Sequence, residues 1–520
     1  MKKLLGLVLT AAFLLGAAPL FAAGSTEAKE YSLVFDPGVY TVKTATYDGQ
    51  TFSYRAYEGI VYVRNPVDVA YQTLNFYVRT EFYEGGSVGG YTADTAPIWF
   101  PNSVGGYMPA PASMPGLSFE GKTNSLVVAL AKGLVVAAPG ARGRTLQDAS
   151  GVYYGKAPAV IVDLKAAVRY LRYNDAAMPG DAERIVSNGT SAGGAVSVLL
   201  GATGNNADYE PYLAALGAAD ARDDIWAVSA YCPITNLDNA DSAYEWLLGG
   251  LSKTKEQGPM PVGTPGMPAG LPAGVASTTV PQGGQTTANP WGAPNSSGAS
   301  LTDAQKKLSA RLAALFPAYL DSLNLTTPDG KVLTLAADGS GPFKDYLETL
   351  VLDSAQASLK AGVDFSAFPF VTVKDGVVTD IDWDQFIAFM GRKKSVPAFD
   401  GLDLSSGENN LFGTETIDNR HFTAFGAANS AVAATSADQA IVKLMNPMDY
   451  IGTEGTTTSR YWRIRHGTVD SDTSIAVPVI LAAYLGDKGC SVDFALPWNV
   501  PHSGDYDLDD NFAWVASLTK

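Results

Sequence analysis

The sequence predicts an α/β fold: a mixed, mostly parallel central sheet covered by helices and interrupted by a large, mainly helical insertion. Three observations carry this. Short β-branched or apolar runs alternate with helix-spaced segments over 25–237 and again over 446–520, the order that builds a parallel sheet buried on both faces. A strand-like run at 184–187 passes through Asn188-Gly189-Thr190-Ser191-Ala192-Gly193-Gly194 into a helix-like run at 195–202. Between the two α/β sections, over 238–445, the alternation breaks.

In chain order, the first segment is not part of the fold. Met1-Lys2-Lys3 is basic, 4–21 is apolar and Ala22-Ala23-Gly24-Ser25 offers a small-residue cleavage site. Residues 1–24 read as a secretory signal peptide, so the expected location is secreted or periplasmic. No cysteine stands at the cleavage site, which gives no sign of a lipid anchor. No later segment is apolar enough to span a bilayer, and no membrane partner is expected after signal removal. Residues 51–63 and 71–82 alternate apolar and polar side chains, as half-buried antiparallel strands do. The runs at 96–100, 134–138 and 226–231 read as further strands, the second being continuously apolar. Residues 163–173 carry Leu164, Ala167, Val168 and Leu171 at helical spacing.

The insertion follows the sixth of these strands. Its stretch 258–300 is crowded with Pro, Gly, Thr and Ser and reads as a long flexible loop. Amphipathic helices are then expected over 304–323, 343–360 and 384–393. Past the insertion come a strand at 461–465, a helix at 473–485 and a strand at 492–496.

Composition narrows the function. The chain has 520 residues and a formal net charge of −16, which argues against nucleic acid or an anionic membrane as partner. Its only cysteines, Cys232 and Cys490, fall at different strands and read as two free buried thiols. The three histidines, His421, His466 and His502, are far apart in sequence. No metal-ligand spacing is present, and neither a metal nor a cofactor is expected.

The chemistry is carried by G-x-S-x-G in a strand–turn–helix context, which makes Ser191 a nucleophile held clear of the backbone on a tight turn. A serine hydroxyl needs a base, usually histidine. His502 follows the strand at 492–496 and stands where the α/β-hydrolase order Ser, Asp or Glu, His expects it. The carboxylate is expected after the strand at 461–465. His466-Gly467-Thr468-Val469-Asp470 points to Asp470, with Asp472 its rival in the same loop. His466 is expected to hydrogen-bond to structure, and His421 to be an ordinary exposed or half-buried histidine. For the oxyanion, one donor is the N–H of Ala192. The other comes from Pro101-Asn102-Ser103-Val104-Gly105-Gly106-Tyr107, where Gly105 and Gly106 are both candidates. The fold expected is therefore an α/β-hydrolase with a lid domain at 238–445.

Several stretches together resemble one family, the bacterial tannases, serine esterases that hydrolyse galloyl esters. They include the 101–107 loop, the 188–194 elbow, Ala230-Tyr231-Cys232-Pro233-Ile234, Val396-Pro397-Ala398-Phe399-Asp400, Glu408-Asn409-Asn410-Leu411-Phe412-Gly413, Trp462-Arg463-Ile464-Arg465-His466-Gly467 and Pro501-His502-Ser503-Gly504-Asp505-Tyr506-Asp507-Leu508. The resemblance implies a triad of Ser191, Asp470 and His502, and favours Gly105 with Ala192 for the oxyanion hole. It further implies that Lys394, Glu408 and Asp472 grip the galloyl ring through its hydroxyls, with Lys393 as the alternative to Lys394. The expected partner is a small galloyl ester, split into gallic acid and an alcohol. The competing readings are a feruloyl or general aromatic carboxylesterase and an inactive binding protein on the same scaffold.

Overall fold

The computed structural model of the chain describes residues 30–118, 121–255 and 298–519. The expected signal peptide lies outside them, as does all but the end of the expected loop over 258–300.

The strands in chain order are β1 (Thr41–Tyr47), β2 (Gln50–Val61), β3 (Thr73–Arg79), β4 (Pro97–Pro101), β5 (Val135–Pro139), β6 (Asp181–Thr190), β7 (Ala227–Tyr231), β8 (Val371–Lys374), β9 (Val377–Ile381), β10 (Tyr461–Arg465) and β11 (Ser491–Ala495). Nine of them form one sheet in the order β1-β2-β3-β5-β4-β6-β7-β10-β11. The β1–β2, β2–β3 and β3–β5 pairs are antiparallel, and every later pair is parallel. This is the mixed, mostly parallel sheet of an α/β-hydrolase. Every residue of β4, β5 and β7 is buried, as their unbroken apolar runs require of strands covered on both faces.

β1 was not anticipated. Its side chains are exposed or half-buried, so no apolar period marks it. The signal that could have found it is local: Asp48 and Gly49, both at positive φ (48° and 72°), close a two-residue hairpin into β2.

The chain leaves the sheet after β7 and returns at β10. The longer helices between them are Leu237–Leu248, Asp303–Ala313, Phe316–Ser322, Pro342–Lys360 and Trp383–Met390. The single helix expected over 304–323 is two. Pro317 sits in the first turn of the second, where its missing N–H is harmless, whereas inside a continuous helix it would remove a bond and clash. The helix Leu237–Leu248 was hidden by its polar residues, among them Asp241 and Glu245, both buried. Asp241 accepts from the backbone N–H of Phe399 (2.7 Å) and Asp400 (3.0 Å). Glu245 pairs with fully buried Arg392, Nη1 donating to Oε2 at 2.7 Å. A second tie reaches the C-terminal section. Trp498, in the loop after β11, packs on Phe365 (5.3 Å), Phe368 (5.4 Å) and Phe386 (6.2 Å, stacked).

Candidate active site

The site is built where β6, β7, β10 and β11 end. β6 runs into Ser191, whose backbone has φ 60° and ψ −122°, and the helix Ala192–Ala202 starts at the next residue. A non-glycine residue at such a φ is strained and holds its place only because the surroundings fix it. Here the surroundings are tight: a Cβ on Gly193 would stand 2.6 Å from the carbonyl oxygen of Val104 and 2.8 Å from Asn102 Oδ1. Asn102 staples the loop after β4 to this turn. Its side-chain amide donates to Asn188 O (3.0 Å), Gly193 O (3.1 Å) and Ser197 Oγ (2.9 Å). Among the described residues, the N–H groups of Gly105, Gly106 and Ala192 have no protein acceptor, so both proposed oxyanion donors are free to bind an anion.

Asp470 lies after β10 and His502 after β11, adjacent parallel strands. His502 Nδ1 is 2.7 Å from Asp470 Oδ2, and Asp470 Oδ1 accepts the Asp472 N–H at 2.9 Å. The rival carboxylate is turned elsewhere. Asp472 Oδ2 is 4.0 Å from His502 Nδ1 but 2.7 Å from Lys393 Nζ. The His502 loop is seated on the serine turn, since a Cβ on Gly504 would fall 1.9 Å from Thr190 Oγ1. Ser191 Oγ has no hydrogen-bond partner among the described residues, and His502 Nε2 faces Cys232 Sγ at 4.0 Å. Catalytic hydrogen bonds are often unformed before substrate binds.

Burial favours neutral forms of both members of the pair, but their mutual attraction outweighs it. His502 is held well above the ordinary histidine value, burial being overcome chiefly by the Asp470 charge. Asp470 is held below the usual carboxylate range, burial being overcome by His502 and His466. His466 departs from expectation. It is fully buried, neither ring nitrogen has a hydrogen-bond partner among the described residues, and Nδ1 stands 3.8 Å from Asp470 Oδ2. Burial pulls it below the ordinary histidine value. His421 is not exposed or half-buried either. It is buried between Asp400 Oδ1 (2.6 Å) and Ser430 Oγ (2.8 Å).

The three residues assigned to the galloyl ring lie as follows. Lys394 Nζ rests over the Phe399 ring, 3.7 Å from its centroid, while Lys393 holds Asp472. Glu408 sits in the first turn of the helix Gly407–Leu411, which Ser406 caps. Two unanticipated side chains position these groups. Tyr244 accepts at its hydroxyl from the N–H of Lys393 (3.1 Å) and Lys394 (3.0 Å) and donates to Ser471 O (2.9 Å). It thereby joins the lysines to the loop of Asp470 and Asp472. Arg144 donates to Gly106 O (2.8 Å) and Asn410 Oδ1 (3.0 Å), joining the oxyanion loop to the Glu408 helix. No local motif marks either residue, because each gains its role from contacts distant in sequence. Cys232 and Cys490 are both free, the first buried and the second half-buried.

A family model described as BD-FAE matches residues 148–260, which include the serine turn. A search of curated proteins found no match. Among solved structures, the tannase of Fusobacterium nucleatum is 48% identical, aligned over 94% of this chain and 100% of the other, with a TM-score of 0.85. The chain belongs to the tannase family. The tannin acyl hydrolase of Lactobacillus plantarum is 44% identical over 94% of this chain and 99% of its own, with a TM-score of 0.84. A tannin acyl hydrolase in complex with ethyl gallate is 43% identical over the same shares, with a TM-score of 0.84. As a tannase, the chain is a carboxylic ester hydrolase. Among its described residues no helix is long and apolar enough to cross a membrane.

Proposed function

We propose that this tannase hydrolyses galloyl esters, alkyl gallates and hydrolysable tannins alike, through a galloyl-enzyme on Ser191. The observation that carries the chemistry is the 2.7 Å contact of His502 with Asp470 beside the serine turn. The acyl group is carried by the kinship to tannases, one of them bound to ethyl gallate. Ser191 Oγ attacks the ester carbonyl carbon as its proton passes to His502 Nε2. Asp470 holds Nδ1–H and stabilises the imidazolium. The carbonyl oxygen, now negative, takes the N–H groups of Gly105 and Ala192. His502 returns its proton to the leaving alcohol. It then takes a proton from water as the water oxygen adds to the acyl carbonyl, and returns that proton to Ser191 Oγ as the acyl C–O bond breaks and gallic acid leaves.

Lys394, Glu408 and Asp472 bind the phenolic hydroxyls, which are good donors to carboxylates. An acyl ring without hydroxyls would leave these charges unpaired, so it is rejected. The insertion over 238–445 acts as the lid that shapes this pocket, and the enzyme works outside the cytoplasm. Ser191→Ala removes methyl gallate hydrolysis while the melting temperature stays near that of the wild type; surviving turnover refutes the nucleophile. A panel of gallate, protocatechuate, ferulate and benzoate esters tests the acyl group. Glu408→Ala should slow gallate esters more than benzoate esters. An equal loss on both counts against recognition through hydroxyls.

A further inference from the structure

The proposed mechanism uses one face of His502 and leaves a thiol beside it unexplained. Cys232 follows β7 at a strained φ of 37°, and its N–H is tied to Arg465 O at 2.6 Å. Its Sγ stands 4.0 Å from His502 Nε2 and 3.5 Å from Ser503 O, the thiol proton pointing to that carbonyl. Cys232 Sγ, a His502 ring nitrogen and an Asp470 oxygen all lie within 4.8 Å of one another. In the neutral ring, with Nδ1–H given to Asp470, the other ring nitrogen carries its lone pair. Two soft or borderline donors therefore share one small space, Cys232 buried and His502 half-buried.

We propose that Cys232 and His502 form a site for a thiophilic divalent cation such as Zn²⁺ or Cd²⁺, and that the ion blocks the esterase. Zn–S and Zn–N bonds are about 2.3 Å and about 2.0–2.1 Å long. A linear bridge would then span roughly 4.4 Å, so the observed 4.0 Å is within reach of one ion with a bent S–Zn–N angle. Asp470 completes the arrangement from behind. A carboxylate on the far ring nitrogen is the usual outer partner of a metal-bound histidine, where it fixes the tautomer and raises ligand basicity. The pair that prepares His502 to accept a proton thus also prepares it to bind a metal. On binding, the S–H bond breaks, its proton leaves to solvent and an S–Zn bond forms; a protonated His502 ring also gives its Nε2 proton to solvent. Nε2 gives its lone pair to the ion, and no electron is transferred. With that lone pair engaged, no base remains for the Ser191 proton.

The site is independent of ester chemistry, so its test is independent of the proposed function. Vicinal phenolic hydroxyls bind metal ions themselves, which is why binding is read without substrate. Zn²⁺ is titrated calorimetrically into the full chain carrying Ser191→Ala. One strong site is expected. Adding Cys232→Ala, Cys232→Ser or His502→Ala should weaken it by more than the roughly 10–100-fold that loss of an outer-shell partner costs. In the enzyme with Ser191 intact, exposure to Zn²⁺ followed by removal of free ion should abolish methyl gallate hydrolysis, and a chelator should restore it. Cys232→Ala or Cys232→Ser should hydrolyse normally and resist the ion. Two cysteine variants guard against one that fails to fold, which its melting temperature reveals. Unchanged Zn²⁺ affinity in the cysteine and histidine variants overturns the proposal, as does equal inhibition of the wild type and the Cys232 variants.

Discussion

Asp470 and Asp472 show how two carboxylates in one loop divide their work. Both are near His502, but only Asp470 reaches it at 2.7 Å, and Asp472 is held by Lys393 at the same distance. Asp470→Asn should therefore lower kcat by about 10⁴-fold, while Asp472→Asn should act mainly on KM for gallate esters. Steady-state kinetics on methyl gallate separate the two. The charge of Asp470 also sets the pH profile. His502 lies above the ordinary histidine value of 6.5 chiefly because that charge overcomes burial, and only the neutral ring can take the serine proton. The rate should climb as pH rises through a midpoint above 6.5, and in Asp470→Asn the midpoint of the residual activity should move down. A midpoint unmoved by the substitution would mean another group controls the limb. The order of Ser191, Asp470 and His502 could be read from sequence because each follows its own strand. The choice of Asp470 over Asp472 rested on a five-residue pattern. What could not be read was the company these groups keep: Cys232 against His502, His466 without a partner among the described residues behind Asp470, and Lys393 paired with Asp472.

The strands read most sharply are buried along most or all of their length. β4, β5, β7 and β10 are short apolar or alternating runs bounded by turn residues, and each lies within a residue or two of its expected place. β1, at the sheet edge, and the helix Leu237–Leu248 were missed for opposite reasons. The strand buries too little to leave a period, while the helix buries acids whose partners, Arg392 and the N–H groups of Phe399 and Asp400, lie far along the chain. That helix also carries Tyr244, so its place decides where the lysines stand. Tyr244→Phe leaves two half-buried N–H groups and one buried carbonyl without their partner, a loss of roughly 1–3 kcal/mol. We expect it to raise KM for methyl gallate more than it lowers kcat. An unchanged KM would show that the lysines hold their place without it. The serine turn has less latitude. Gly193→Ala must push Cβ against Val104 O at 2.6 Å, and thermal unfolding should report destabilisation above about 2 kcal/mol.

Taken whole, the molecule keeps acidic groups in the interior of its insertion. Burial, reinforced by Asp400 and Glu245, pushes Asp241 up to about 7 although two backbone N–H groups favour its ionised form. Unfolded, it would titrate near 3.8. The folded state thus binds the proton more tightly, and stability conferred at low pH is lost as pH rises from about 4 through 7. In Asp241→Asn this loss is absent, so its melting-temperature deficit relative to wild type should shrink between pH 5 and pH 8. A deficit that widens over that range would contradict the assignment. The architecture was legible in outline, since the two α/β sections and the break between them stand out in the pattern, but the ties across the break are tertiary and leave no local trace. Those ties bring the ends of four strands and the inserted helices to one place, where the proposed mechanism sets a galloyl ester against Ser191. The direct test is to mix enzyme with propyl gallate, quench in acid within a turnover and map the peptides by mass spectrometry. The galloyl group is predicted as an ester on Ser191, absent from Ser191→Ala; a galloyl group on Cys232 or any other residue, or turnover with no covalent galloyl-enzyme, would contradict the account.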